Sequence, residues 1–226
     1  MTQSTRRAVL LGGAAAAGIA MLPGRALALT EQERLVEESR LTLLTLLNDT
    51  TFPALGTYIQ NSRAVVIVPT LLKGGFILGG QGGDGVLVAR AQDRSWGYPI
   101  FITMAAGSVG LQIGGQVSQV VLTIVSDRGL NAVRTSNFQL GAGAGASLVT
   151  VGAGVEARSG LDFDADMYSF SLSQGLFAGG TLEGSVILDR ERWNAAYYGE
   201  GANSDGILAG FYANPHADPL RAALPR

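Results

Sequence analysis

Ala64-Val65-Val66-Ile67-Val68-Pro69, followed by Gly79-Gly80-Gln81-Gly82-Gly83-Asp84-Gly85 running into Val86-Leu87-Val88-Ala89-Arg90, is the stretch that decides the fold class. Short runs of β-branched side chains read as strands, and the proline and glycines around them read as punctuation. The same grammar continues in Phe76 to Leu78, Ile100 to Met104 and Val117 to Val125. Two later segments alternate with a period of two. Val149, Val151, Ala153 and Val155 share one face, and Tyr168, Phe170 and Leu172 stand opposite Ser169, Ser171 and Ser173, which predicts sheet with one wet face. Leu182 to Leu188 predicts a last strand, after which Asp189 is positioned to cap a helix through Trp193 and Tyr197 that ends at Gly199.

Glycine is the compositional oddity, 32 of 226 residues. It clusters at Gly74-Gly75, Gly79 to Gly85, Gly114-Gly115 and Gly141-Ala142-Gly143-Ala144-Gly145. These glycines lack the strict three-residue period of collagen and are interleaved with Val, Ile, Leu and Phe. They are therefore read as permitting turns, bulges and close strand approach in a strongly curved sheet.

Working outward toward the amino terminus, Thr30 to Asn48 is helical in period. Leu35, Val36, Leu43, Leu44, Leu46 and Leu47 crowd one side, and Glu31, Arg34, Glu37 and Glu38 lie opposite. Thr30 followed by Glu33 makes a capping-box start. A short second helix is expected from Pro53 to Asn61. The fold class expected is α+β: a curved antiparallel, glycine-rich sheet, barrel- or sandwich-like, with an amino-terminal amphipathic helix and a late carboxy-terminal helix.

Residues 1–28 read as a signal peptide. Arg6 and Arg7 precede an uncharged run from Ala8 to Leu22, and Ala26-Leu27-Ala28 supplies a small-residue cleavage site. The arginine pair resembles a twin-arginine export signal, with Val9 at the usual aromatic position. The run is shorter and less apolar than the roughly 20 residues a membrane-spanning helix requires. The expected division is a leader at 1–28, one domain at 29–212 and a loose Pro-rich tail at 213–226, where Pro215, Pro219 and Pro225 lie. The expected location is the periplasm, in peripheral contact with membrane.

Without Arg6, Arg7 and Arg25, 13 of the 16 basic side chains remain against all 18 acids, a net charge of −5. That balance argues against a nucleic-acid partner. The absence of cysteine excludes disulfides, a thiol nucleophile, thiolate metal sites and a lipid-modified cysteine.

Motifs of catalysis are sparse. Gly80-Gln81-Gly82-Gly83-Asp84-Gly85 matches the dinucleotide fingerprint in letters, but strand-like Val86-Leu87-Val88 follows it where a helix is needed, so no nucleotide is expected. Lys73, the single lysine, precedes Gly74 rather than Ser or Thr, so there is no Walker loop. The single histidine, His216, lies in the Pro-rich tail, which leaves no rigid Ser-His-Asp triad or histidine zinc site. Asp162, Asp164 and Asp166 alternate and are either a calcium candidate or a solvated acidic turn. Trp96, Trp193, Tyr197 and Tyr198 are candidates for stacking or for packing. No cofactor is implied.

Taken in order, Ala64-Val65-Val66-Ile67-Val68-Pro69, Lys73-Gly74-Gly75-Phe76, Gly85-Val86-Leu87, Trp96-Gly97-Tyr98-Pro99, Gly107-Ser108-Val109-Gly110-Leu111-Gln112-Ile113-Gly114-Gly115, Tyr168-Ser169, Gly175-Leu176-Phe177-Ala178-Gly179 and Tyr197-Tyr198-Gly199 resemble the SYLF domain. The likeness runs from about Leu35 to Leu208. That family includes eukaryotic adaptors that bind phosphoinositides and, in yeast, actin, together with exported bacterial members. The resemblance implies lipid or membrane-surface binding without catalysis, with an amphipathic segment near the domain's start contributing. Its counterpart here is Thr30 to Asn48, whose polar face is acidic where attraction to anionic lipid calls for bases. Gly143 stands where relatives often carry Asp. Export excludes actin as a partner.

The expected function is a non-catalytic periplasmic module that binds phospholipid or another envelope amphiphile. The alternatives are an envelope hydrolase using carboxylates and an outer-membrane-associated structural protein. Two destinations are open for the apolar stripe of the first helix: the domain's own sheet, or a membrane. Leu41 separates them, because it lies among polar residues and is surplus to a core stripe. Arg63, Lys73, Arg90 and Arg94 are the expected head-group contacts, since residues 63–94 hold these four bases against Asp84 and Asp93.

Overall fold

The computed structural model describes residues 28–226 apart from 76–77, 110–113, 135–137, 141–145, 152–162, 176–181 and 183. The leader residues Arg6, Arg7 and Ala26, and Gly143, Ala153, Val155 and Asp162, lie outside the described residues.

Two helices, α1 (Glu31–Leu47) and α2 (Leu55–Gln60), precede four long strands, β1 (Ala64–Gly75), β2 (Leu78–Ala89), β3 (Ile100–Val109) and β4 (Gly114–Ile124). Then come α3 (Asp127–Arg134), β5 (Phe138–Gln139), β6 (Leu148–Val151), β7 (Met167–Gly175), β8 (Val186–Asp189), α4 (Glu191–Tyr198), α5 (Ser204–Leu208) and α6 (Asp218–Ala223). The strands form one curved, unclosed sheet in the order β5-β8-β3-β2-β1-β4-β7-β6. Every pairing is antiparallel except β6 with β7, which is parallel.

The capping box at the start of α1 is complete. The Thr30 amide donates to Glu33 Oε2 at 2.8 Å, and the Glu33 amide donates to Thr30 Oγ1 at 3.1 Å. Leu35, Val36, Leu43 and Leu46 of α1 are buried against Phe52, Leu55 and Ile59 and against one face of the sheet, where Val65, Ile67, Val86, Val88, Val121 and Phe170 lie. The apolar stripe therefore goes to the domain's own sheet, with Leu44 and Leu47 half-buried at its margin. The alternate residues of the same strands, Val66, Val68, Leu87, Ile102, Val120 and Leu122, form a second core on the opposite face with Leu140, Leu182, Ile187 and Ile207. Burial on both faces explains why these strands read as continuous apolar runs rather than alternating ones.

Four expectations about the strands and the tail are corrected. Pro69 does not stop β1. The register of β1 shifts against β4 between Val68 and Leu71 and against β2 between Ile67 and Leu72, so Pro69 sits in a bulge, where its missing N–H costs no ladder bond. The glycines from Gly79 to Gly85 are not a turn but the first half of β2. A Cβ on Gly83 would lie 2.2 Å from the Thr70 carbonyl oxygen, and one on Gly85 would lie 2.3 Å from that of Ile67, so the bulge of β1 presses directly on β2 there. The serine side of β7 is not uniformly wet: Ser171 and Ser173 are half-buried, but Ser169 is buried, and its hydroxyl donates to Thr150 Oγ1 at 3.2 Å. Finally, the segment read as a loose tail is packed. Ala217, Leu220 and Leu224 are buried in the first core, and the Pro225 carbonyl accepts from Trp96 Nε1 at 2.9 Å.

The late helix forms as expected but without the expected cap. Arg190 is its N-cap residue, and Asp189 ends β8, its carboxylate accepting from Asn194 Nδ2 at 2.8 Å and from the Ser204 hydroxyl. Gly199 ends the helix with φ of 108°.

Candidate lipid-contacting surface

Arg63, Arg90 and Arg94 come together at the end of the sheet where β1 begins and β2 finishes, but they are differently employed. Arg63 is exposed and pairs with Asp127 at 3.2 Å. Arg94 is exposed in the turn after β2, with φ of 66°. Arg90 is a tie within the fold: its guanidinium donates to the carbonyls of Ser62 at 3.1 Å, Arg94 at 2.6 Å and Pro225 at 3.2 Å, and it lies 4.0 Å from the centre of the Trp96 ring. Burial, with Arg94 close by, pushes its pKa down from the usual arginine value. Lys73 does not join them. Nine residues along β1 at ~3.3 Å each place it roughly 30 Å away, near the other end of the strand.

That other end is built of glycine. In register, Gly74 lies between Gly80 of β2 and Gly115 of β4, and Gly75 between Gly79 and Gly114. The last side-chain-bearing row before this bare backbone is Gln81-Lys73-Gln116, all three on the second face. On the helix-covered face the neighbouring pair is Leu72 and Val117, directly opposite each other across β1 and β4 and 56% and 46% exposed. Leu72 also lines an open hollow under α1 with Glu31, Arg34, Leu35 and Glu38. Leu41, 50% exposed, projects from the flank of α1 that carries Arg34 and Glu38, since residues three and seven apart share a helix face. Sequence reasoning named Leu41 and Lys73 and missed Leu72 and Val117. The bulge at Pro69 shifts the parity of β1, so an alternation counted from Ala64 assigns Leu72 to the wrong face.

A hollow of about 760 Å³ runs beside β8, α4 and α5, with Leu87, Ile100, Ile102 and Ile187 in its lining. Much of its charged rim is already paired: Arg134 with Asp205 at 2.9 Å, Arg190 with Asp84 at 2.5 Å, and Asp189 with Asn194 and Ser204. Burial pushes the Asp189 carboxyl up from its ordinary value, against the bonds from Ser204 and Asn194.

Two members of the acidic triplet, Asp164 and Asp166, are among the described residues. Asp164 is exposed, while Asp166 is 3% exposed and occupied by protein groups. Arg128 Nη2 donates to its Oδ2 at 2.7 Å, the Ser147 amide donates to the same oxygen at 2.8 Å, and the Ser126 hydroxyl donates to Oδ1. Burial pushes this carboxyl up, but the bonds from Arg128, Ser126 and Ser147 outweigh it and hold it far below the usual carboxylate range. Among the described residues no group of three or more His, Cys, Asp or Glu is placed to hold a metal. His216 Nδ1 lies 3.4 Å from the Tyr197 hydroxyl. The aromatics named from sequence pack inside the domain: Tyr197 is edge-on to Phe101 at 5.1 Å, Trp193 carries Arg190 on its ring at 3.6 Å, and the Tyr198 hydroxyl donates to the Pro99 carbonyl at 2.6 Å.

Residues 105–226 match a family model described as Ysc84, Las17-binding protein actin regulator. Protein YSC84 of Saccharomyces cerevisiae is 32% identical over 170 residues, 74% of this chain and 36% of its own length. SH3 domain-containing protein PJ696.02 of Schizosaccharomyces pombe is 34% identical over 170 residues, 74% of this chain and 39% of its own. SH3 domain-containing YSC84-like protein 1 of Homo sapiens is 32% identical over 158 residues, 70% of this chain and 46% of its own. The chain thus spans less than half the length of each of these relatives, two of which are named for an SH3 domain. With more than half of its residues inside the family model and about a third of its positions identical over 74% of the chain to a relative, this chain belongs to the Ysc84, or SYLF, family.

Proposed function

We propose that the mature chain is a non-catalytic module that docks on a lipid surface of the cell envelope after export. The observation that carries this reading is the pair Leu72 and Val117. Two neighbouring apolar side chains stand exposed next to the last two rows of β1, which are glycine together with their β2 and β4 partners, and the chain's single lysine is beside them. Apolar groups beside bare backbone suit the interfacial region of a bilayer, where burying each such side chain supplies about 1.5 to 3 kcal/mol when complete. Leu41 extends the apolar contact along α1. Glu31 and Glu38 on the same flank oppose anionic lipid, so the attraction expected is mainly apolar, with Lys73 and Arg34 as the nearby cations. Arg63 and Arg94, at the far end, are secondary contacts.

Co-sedimentation of the mature protein with vesicles of neutral and anionic composition tests the reading. Binding is expected, with Leu41→Asp and Lys73→Glu each weakening it and leaving the melting temperature nearly unchanged. Absence of binding across all compositions by the folded wild type refutes it.

A further inference from the structure

The second face of the sheet changes character along its length. Around Val66, Val68, Val120 and Leu122 it is wholly apolar and buried. Toward the glycine end it turns polar. Ser118 Oγ lies 2.9 Å from Ser173 Oγ, Gln116 Nε2 donates to Ser118 Oγ at 2.9 Å, and Gln81 Nε2 donates to Ser185 Oγ at 2.7 Å. Lys73 stands in register between Gln81 and Gln116, half-buried. With Leu71, Ser118 and Ser171 these side chains line a hollow of about 10 Å³, room for one hydroxyl-sized group.

Two features of this hollow call for a ligand. Gln116 is 4% exposed, and its Oε1 accepts no hydrogen bond among the described residues. A buried acceptor left unpaired costs free energy and is rare in native folds. Lys73 brings a positive charge to the same hollow, and no carboxylate among the described residues lines it. The unpaired acceptor needs a donor and the ammonium needs an anion, and the β1 rows next to them, Gly74 and Gly75 with their β2 and β4 partners, carry no side chain.

We propose that this hollow is a head-group subsite for a phosphate ester that carries a free hydroxyl, as in a phosphoglycerol head. The hydroxyl enters and donates to Gln116 Oε1, while the phosphate stays outside against the Lys73 ammonium. The proposal rests on the lipid-surface reading above and adds head-group selectivity to it.

The test compares vesicles containing phosphatidylglycerol with vesicles containing the same fraction of phosphatidylmethanol, which has the same charge and no head-group hydroxyl. Wild type is expected to bind the phosphatidylglycerol vesicles about three- to tenfold more tightly, the range one hydrogen bond supplies. Gln116→Met should abolish that preference, retain binding to phosphatidylmethanol and keep a cooperative melt, and Lys73→Gln should weaken binding to both. Gln116→Leu is the second variant should the first fail to fold. Soluble glycerol phosphate that raises the wild-type melting temperature, but not that of Gln116→Met, supports the subsite and assigns it to the free ester. Equal binding of wild type to the two anionic vesicles, or an undiminished preference in both Gln116 variants, overturns the proposal while leaving membrane docking intact.

Discussion

Replacing Gly85 by alanine is the sharpest perturbation of the sheet. Where the backbone angles suit alanine and the space is open, the change stabilises by about 0.4 to 1 kcal/mol, because alanine restricts the unfolded chain. At Gly85 the new methyl would stand 2.3 Å from the Ile67 carbonyl oxygen and 2.9 Å from Val68 Cγ2. The first of these is backbone held in the β1 bulge, so relief requires β1 and β2 to move apart and not merely a rotamer change. Overpacking of this kind costs about 1 to 3 kcal/mol, and contact with fixed backbone belongs at the upper end. At about 2 to 4 °C per kcal/mol for a domain of this size, the melting temperature should fall by about 6 to 12 °C. Gly115→Ala is the matched control: it lies in β4, and an added Cβ meets nothing within 4 Å. Circular-dichroism melts of the two variants should separate them clearly, with Gly115→Ala at or slightly above wild type. A Gly85→Ala melt within about 2 °C of wild type would show that the bulge does not press on β2, and would refute the close-approach account of the glycine run.

The carboxylate of Asp166 is held well below its ordinary value of 3.8, so its stabilisation is complete above that value and is lost as pH falls toward the folded one. Arg128 is two-thirds exposed and solvent-screened, so the buried hydrogen bonds carry most of the effect. Asp166→Asn should cost about 1.5 to 3 kcal/mol near neutral pH, and the gap from wild type should narrow in urea titrations below about pH 4. Leu220→Ala, at a fully buried position of α6, should cost about 2 to 5 kcal/mol, whereas a loose tail would give no change in the melt. Replacing both Arg6 and Arg7 by lysine should leave precursor in the cytoplasm on fractionation, and normal export of that variant would rule out the twin-arginine route.

Local periodicity made α1 legible, because its cap, its stripe and its length all follow from spacing within one element. The role of the glycines was legible in kind but not in place: Gly83 and Gly85 serve close approach, yet they lie inside a strand, since the bulge that requires them is on the neighbouring strand. Proline misled twice. In the sequence Pro69 reads as a terminator and Pro215, Pro219 and Pro225 read as a loose tail, although Ala217, Leu220 and Leu224 already have the three- and four-residue spacing of a buried helical stripe. The serines of β7 read as wet because alternation cannot tell solvent from a polar second core. Among the candidate contacts, Leu41 was legible as the leucine outside its stripe. Arg90 was not legible as a structural residue, because its partners are carbonyls contributed by residues as distant as Pro225.

On the proposed function, the glycine end of the sheet meets lipid through Leu72 and Val117. The most direct test is a binding isotherm on mixed neutral and anionic vesicles for wild type and for the double variant Leu72→Asp/Val117→Asp. Both positions are about half exposed, so the variant should melt close to wild type. Wild type should bind, and the double variant should lose most of its affinity. Equal binding by the two proteins would contradict the account.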